Sequence, residues 1–308
     1  MTYIYHHDDC LTHDPGEYHA ENPGRLGAIM AELRNATFAK ALEYVTAPLG
    51  TDAQILLAHT EAHLKLIRAS APTEGRRALD PDTVMSPGSL NAALRAVGAA
   101  CTGVDDLVQR RTRHVFCATR PPGHHATPNR AMGFCLFNHI AIAALYAMQQ
   151  HHLQRVAIVD FDVHHGNGTQ DILLGKEGML YISTHQSPLY PGTGQTGENR
   201  AGNILNVPLP GGTDDASYRS VFSGEVLPVL DAFKPQLLLV SAGFDAHRDD
   251  PLACIALTEK TYHWLGRQLR AIADTHTGGS LLSVLEGGYN LEVLGPSVAS
   301  YLDGAGAA

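Results

Sequence analysis

Five short runs in this chain are apolar without alternation, and that pattern constrains the fold more than any other feature. They are HVFCAT (114–119), RVAIVD (155–160), MLYIST (179–184), QLLLVSAG (236–243) and SLLSVLEGG (280–288). A strand with one wet face alternates apolar and polar residues, so a strand that does not alternate is covered on both faces. Helix-length segments at 88–111, 137–152, 214–233 and 258–276 precede or separate these runs. Strands alternating with helices build a mostly parallel sheet flanked by helices on both faces. Thr213 or Asp214 is placed to cap the third helix, and Lys234-Pro235 ends it. The first 70 residues read as largely helical, at 25–40 and 52–70. No repeat, charge block or Pro/Gly/Ser linker divides the chain, so a single α/β domain over 1–308 is expected.

Composition removes several function classes. Hydrophobic residues are 44% and charged residues 17%, enough apolar matter for one large core. The net charge is −9 with neutral histidine, and no basic stripe offers a nucleic-acid footprint. No apolar run approaches the length of a membrane-spanning helix, and the opening MTYIYHHDDC lacks the basic end and apolar stretch of a signal peptide. A cytoplasmic location is the expectation. The five cysteines are an odd number with no Cys-x-x-Cys, which speaks for reduced core thiols rather than a disulfide framework. Histidine is the anomaly, with 18 copies against one tryptophan.

In open parallel sheets, ligands bind beyond the carboxyl ends of the strands. The unusual residues of this chain sit there: HVFCAT runs into RPPGHHA, RVAIVD into FDVHHGNG, QLLLVSAG into FDAHRDD, and SLLSVLEGG into YN. Asp162-x-His164 follows one strand and Asp245 another. Two carboxylates and an imidazole make a three-ligand divalent metal site that leaves a position for water, although Asp-x-His alone is more often structural. Pro121-Pro122-Gly123 stiffens the turn that presents His124 and His125. A histidine beside a metal can take a proton from water and return it to a leaving amine. Tyr289, on the glycine-flanked turn after the last strand, is placed to steady an oxyanion; read alone, such a tyrosine is more often packing. His6-His7 and His151-His152 lack both a rigid loop and these strand ends, and read as solvent-facing. Gly192–Gly197 fits G-x-G-x-x-G, but Pro188 and Pro191 precede it and a strand-like Asn203–Val207 follows. A dinucleotide loop must instead join a strand to a helix N-terminus, so nucleotide binding is not expected.

Taken together and in order, RPPGHHA (120–126), GFCLFNH (133–139), DFDVHHGNGT (160–169), SAGFDAHRDDPL (241–252) and EGGYN (286–290) resemble the histone deacetylase/acetylpolyamine amidohydrolase family, and within it the class II, bacterial-type branch. The likeness covers nearly the whole chain. It implies the arginase–deacetylase fold, a central parallel sheet with helices on both faces, and hydrolysis of N-acyl amines at one metal. By motif position, Asp162, His164 and Asp245 match the zinc ligands, with iron(II) an alternative for the same donors. His124 and His125 match the tandem histidines, Tyr289 the carbonyl-polarising tyrosine and Asp160 the acid behind the first histidine. Asn167 stands where other branches carry an acid behind the second. An amide favours the charged imidazole less than a carboxylate does, so His125 is expected to be neutral more readily and to act as general base. The family's structural potassium site maps onto Asp160, Asp162, His164, Ser183 and Thr184. Gly133, Phe134 and Tyr190 resemble the walls of the acyl-lysine tunnel, Asp82 its rim, and Arg25 the arginine of the product channel. The chain ends in Tyr301-Leu302-Asp303 and a Gly/Ala tail, from which a trimmed version of the family's usual last helix is the expectation.

Three functions follow from this resemblance: a deacylase of lysine in proteins or peptides, a deacetylase of acetylpolyamines or another small acetylated amine, and an inactive acyl-lysine-binding module. The intact ligands, histidines and Tyr289 disfavour the third. Leu252 stands where polyamine-selective relatives tend to carry an acidic gate, which favours the first. Oligomeric state has no signal in the sequence.

Overall fold

Side chains along a strand point alternately to opposite faces, so a strand apolar at every position feeds two cores. The computed structural model describes residues 1–307. In chain order the elements are β1 (Thr2–His6), α1 (Gly24–Asn35), β2 (Leu42–Thr46), α2 (Asp52–Ile55), α3 (Glu61–Ser70), the hairpin β3 (Arg77–Asp80) and β4 (Thr83–Met85), α4 (Ser89–Val108), β5 (His114–Cys117), α5 (His139–His151) and β6 (Val156–Asp160). There follow α6 (Asn167–Leu173), β7 (Met179–Gln186), β8 (Ile204–Leu209), α7 (Asp215–Val221), α8 (Leu227–Phe233), β9 (Leu237–Ala242), α9 (Glu259–His276), β10 (Leu281–Leu285) and α10 (Leu291–Gly304). In β9, Leu238, Val240 and Ala242 enter one core cluster and Leu237 and Leu239 the other. In β6, Ala157 and Val159 oppose Val156 and Ile158 in the same way. The first core is closed by α1, α7, α8, α9 and α10, the second chiefly by α3, α4 and α5.

Eight strands form one parallel sheet in the order β2-β1-β5-β10-β9-β6-β7-β8. The four strands whose exits carry the unusual residues are therefore the contiguous block β5-β10-β9-β6. All five expected strands are present, but the helical reading of the first 70 residues is corrected. β1 and β2 are strands, with β1 paired to both β2 and β5. Neither carries the continuous apolar run of the central strands: β1 mixes buried with half-buried positions, and β2, at the sheet edge, buries only Leu42. The helix expected at 25–40 stops at Asn35, where Ala36 turns extended. The one expected at 52–70 is two helices, and the second starts where the Thr60 hydroxyl accepts the His63 N–H. The segment 214–233 begins with Asp214 capping Ser217 and is broken by a single wider turn at Phe222–Val226. Pro228, in the first turn of α8, has no N–H to continue the regular ladder across that point. No helix among the described residues is long and apolar enough to cross a membrane.

Helices α9 and α10 approach through glycine. A Cβ on Gly266 would stand 2.2 Å from the Tyr301 carbonyl oxygen, and one on Gly304 would stand 2.0 Å from that of His263. Gly266→Ala should therefore lower stability by about 1–3 kcal/mol through overpacking, although alanine is the better helix former by about 1 kcal/mol. A fall in the urea midpoint with unchanged slope is the expected result; a raised midpoint would show that the helices can part without cost.

Candidate active site

Because β6 and β9 are neighbours in register, with Asp160 opposite Ser241, the segments leaving them are forced side by side. Asp162 and His164 come from one and Asp245 from the other, all three buried. The His164 Nδ1 lies 3.2 Å from Asp162 Oδ1 and 3.1 Å from Asp245 Oδ2, and one donor atom from each of the three residues lies within 4.8 Å of the others. Backbone N–H groups fix the two carboxylates. Gly287 donates to Asp162 Oδ2 at 2.8 Å, His164 to Asp162 Oδ1 at 2.9 Å and Val163 to Asp245 Oδ1 at 2.9 Å. Glycine is needed twice here: a Cβ on Gly287 would stand 2.1 Å from Asp245 Oδ2, and one on Gly243 would stand 2.2 Å from Asp162 Oδ2. Burial, together with the Asp162 charge, pushes the Asp245 carboxyl up to about 7. Burial alone would discharge His164, but hydrogen bonds to Asp162 and Asp245 outweigh it and raise the imidazole to about 10. A buried two-carboxylate, one-imidazole set of this kind suits a divalent cation such as zinc.

The loop after β5 brings His124 and His125 to the same place, with ring centroids 4.0 Å apart. Their partners differ. His124 Nδ1 is 3.0 Å from Asp160 Oδ2, an oxygen that also accepts the Tyr181 hydroxyl at 2.9 Å. His125 Nδ1 is 2.8 Å from Asn167 Oδ1. Burial opposes charge on both rings. At His124 the Asp162, Asp160 and Glu286 carboxylates overcome it and hold the imidazole well above its ordinary range. At His125 burial is joined by the charges of His124 and His164, which hold it well below that range.

A cavity of about 260 Å³ opens onto this group, lined by Asp82, His125, Gly133, Phe134, His164, Leu189, Tyr190, Leu252 and Tyr289. Phe134 stands edge-on to Tyr289 with centroids 5.7 Å apart, and Tyr190 edge-on to His125 at 5.1 Å. Phe134 adopts a left-handed backbone at φ 68°, held by the Thr83 hydroxyl accepting its N–H. Asp82 lines the cavity, but its Oδ1 accepts the Gly133 N–H at 3.1 Å and the Thr83 hydroxyl at 2.9 Å. Arg25 lies beneath Tyr289, its guanidinium 4.9 Å from the ring centroid and donating to the carbonyls of Gly288 and Glu286 and to Glu21. In the neighbouring strand pair, Ser183 lies opposite Asp160, and the Thr184 hydroxyl is 3.5 Å from the Asp160 carbonyl.

Several participants carried no sequence signal. Leu189 lines the cavity beside Leu252. Asp250 accepts the N–H of Tyr289 at 2.7 Å and that of Leu252 at 3.0 Å, tying the tyrosine turn to the cavity wall. His165 and His185 bond Thr193 and the Gly194 carbonyl, so they pin the loop that carries Tyr190. That loop includes the G-x-G-x-x-G segment, which passes through one 3-10 turn at Thr196–Glu198 and leads into β8, not into an α-helix. His6 and His7 are half-buried, not solvent-facing, and line a separate cavity of about 230 Å³ between β1 and α1. His151 is also half-buried, against Asp105 at 2.6 Å.

Comparison with known proteins identifies the architecture. The family model for the histone deacetylase domain matches residues 19–305. A probable deacetylase of Archaeoglobus fulgidus is 37% identical over 95% of this chain and 82% of its own length. A histone deacetylase-like amidohydrolase of Pseudomonas aeruginosa is 38% identical over 88% of this chain and 73% of its own. The crystal structure of the HDA15 HD domain superposes with a TM-score of 0.92 at 36% identity, covering 99% of this chain and 91% of that one.

The protons on Asp245 and His164 make a prediction about metal uptake. Ligands must lose their protons to bind a cation. With Asp245 at about 7 and His164 at about 10 in the metal-free protein, two protons leave below pH 7 and one between pH 7 and 10. Affinity for zinc, measured by competition with a chromophoric chelator, should rise about 100-fold per pH unit below 7 and about tenfold per unit above it. Asp245→Ala should remove most of the affinity. An affinity indifferent to pH would count against these three side chains as the ligands.

Proposed function

The chain belongs to the histone deacetylase family and is a deacetylase/amidohydrolase of that family; from that premise we propose that its substrates are proteins or peptides acylated on the side-chain amine of lysine. The observation that carries this reading is the lining of the cavity. Phe134 and Tyr190 offer aromatic faces to a methylene stem, and Leu189 and Leu252 add apolar surface. Asp82 is the one acid among the described lining residues, and its Oδ1 accepts both the Gly133 N–H and the Thr83 hydroxyl. An acetylpolyamine would bring a second cationic nitrogen, for which the lining offers a single carboxylate, Asp82, with one oxygen already engaged by two donors.

Asp162, His164 and Asp245 would hold a divalent cation, zinc in this proposal, which when bound supplies Lewis-acid polarisation of the acyl carbonyl and a lowered pKa for water. The protein's own groups do the rest. The Nδ1–H of His125 donates to Asn167 Oδ1, which leaves Nε2 bare. With its charged form disfavoured by burial, that nitrogen is the proton acceptor for attacking water. His124, held charged in front of Asp160, is the proton donor that assists the departing amine. Burial raises the Tyr289 phenol well above its ordinary range, so it stays protonated and donates a hydrogen bond to the oxyanion. Arg25 beneath the ring and Asp250 on the backbone N–H hold that phenol in place. The oxygen-rich neighbourhood of Asp160, Asp162, His164, Ser183 and Thr184 is assigned to potassium.

Two measurements test the proposal. The first compares kcat/KM of zinc-loaded protein on an acetyl-lysine peptide, acetylputrescine and acetylspermidine; preference for the peptide is expected, and preference for the polyamines would overturn the substrate assignment. The second is Tyr289→Phe, which should lower kcat on the order of 10²–10³-fold with little change in KM, because the lost hydrogen bond strengthens in the transition state. A Phe variant with near-normal kcat would remove Tyr289 from the mechanism.

A further inference from the structure

Glu286 is fully buried at the end of β10, and beyond adding to the negative charge around His124 its carboxylate has no task in the mechanism above. It lies outside the substrate cavity lining. Yet all of its contacts run to the parts that do act. Oε2 accepts the backbone N–H of Gly123 at 2.7 Å and that of His124 at 3.2 Å. Oε1 accepts the Ser241 hydroxyl of β9 at 3.1 Å. The Glu286 N–H donates to the Ala242 carbonyl, and its own carbonyl receives Arg25 Nη2. One side chain thus joins the loop after β5 to the ends of β9 and β10. The loop it grips has little freedom on its other side, since a Cβ on Gly123 would stand 2.3 Å from the ring of His139.

A buried carboxylate is costly unless donors surround it, and here two of the three donors are peptide N–H groups of the histidine loop. Those N–H groups have no other acceptor in the hydrogen-bond network around them, so removing the carboxylate would leave them unsatisfied and free the loop to shift. Proton transfer depends steeply on distance, and a displacement of about 1 Å costs on the order of 10²-fold in rate. We infer that Glu286 is a positioning residue: its carboxylate oxygen, by accepting the Gly123 and His124 N–H groups, sets where His124 and His125 stand relative to Asp162, Asp245 and Tyr289. This rests on the assignment of proton transfer to the two histidines. Positioning requires of residue 286 an acceptor at Oε2; its charge is the smaller contribution to His124, behind those of Asp162 and Asp160. Glutamine keeps that acceptor. Its amide nitrogen would then face the Ser241 hydroxyl and the His139 Nε2, which is 3.9 Å from Oε1, buried and without a hydrogen-bond partner. Both of those atoms can accept.

The test uses the full chain loaded with zinc, an acetyl-lysine peptide, and the variants E286L, E286D and E286Q. E286L should lower kcat on the order of 10²-fold, with KM and zinc affinity within about threefold of wild type. E286D, with the carboxylate drawn back by one methylene, should lose about tenfold in kcat. E286Q should recover most of what E286L loses. Near-normal kcat in E286L or E286D would overturn the inference, as would an E286Q as impaired as E286L, or a loss of kcat matched by an equal loss of zinc affinity. If E286L does not fold, the contrast between E286D and E286Q decides. His125→Ala serves as the control. If that variant were fully active, the proton-transfer assignment would fail, whereas an inactive His125→Ala beside an active E286L would defeat only the role of Glu286.

Discussion

Three carboxylates with almost no solvent, Asp160, Asp162 and Asp245, crowd the ends of two adjacent strands, and the structure around them is organised to tolerate that crowding. Like charges in a low-dielectric interior repel strongly. The protein answers with peptide N–H groups from Gly287, His164 and Val163, with the imidazole of His164 between two acids, and with a proton retained on Asp245 up to about pH 7. Gly243 and Gly287 let the backbone come close enough to deliver those donors. The same features that make the group expensive to bury make it receptive to a divalent cation, which replaces retained protons with fixed positive charge.

The two histidines show how one loop yields two acid–base characters. His124 and His125 are adjacent in sequence with ring centroids 4.0 Å apart, yet one backs onto a carboxylate and the other onto an amide. The difference in partner drives their affinities for a proton apart, which is the arrangement a paired donor and acceptor require. It also works through mutual repulsion, because charge on His124 disfavours charge on His125.

Beneath the reacting side chains lies a second charged cluster that never meets solvent. Glu21 accepts from Arg25 and from Arg120, and its Oε2 lies 3.1 Å from His13 Nε2; all four side chains are buried. Arg120 opens the histidine loop and Arg25 supports Tyr289, so Glu21 joins from below what Glu286 joins from the side. Buried ion pairs add little net stability over apolar packing; their contribution here is geometric, fixing two loops against each other at one orientation.

Much of this was legible from sequence because it depends on local pattern. Unalternating apolar runs must be covered on both faces, so the parallel sheet and its five central strands could be read, as could the chemistry-bearing residues at their exits. β1 and β2 were not legible, because at the side of the sheet they are only partly covered and lack the continuous apolar run of the central strands. Strand order was hidden as well: nothing local says that β10 inserts between β5 and β9, yet that insertion brings Gly287 and Tyr289 to the Asp162 group. Glu286 could be quoted as part of a motif but not given work, since its partners Gly123 and His124 lie more than 160 residues away. The same holds for Asp250, Glu21 and Leu189, ordinary residues whose meaning is who they touch. Which segments must be buried, and which side chains sit where strands end, can be read along the chain. Which of those ends meet cannot, because hydrogen-bond partners and charge neighbours are set by the packing of distant segments and leave no periodic trace in any one of them.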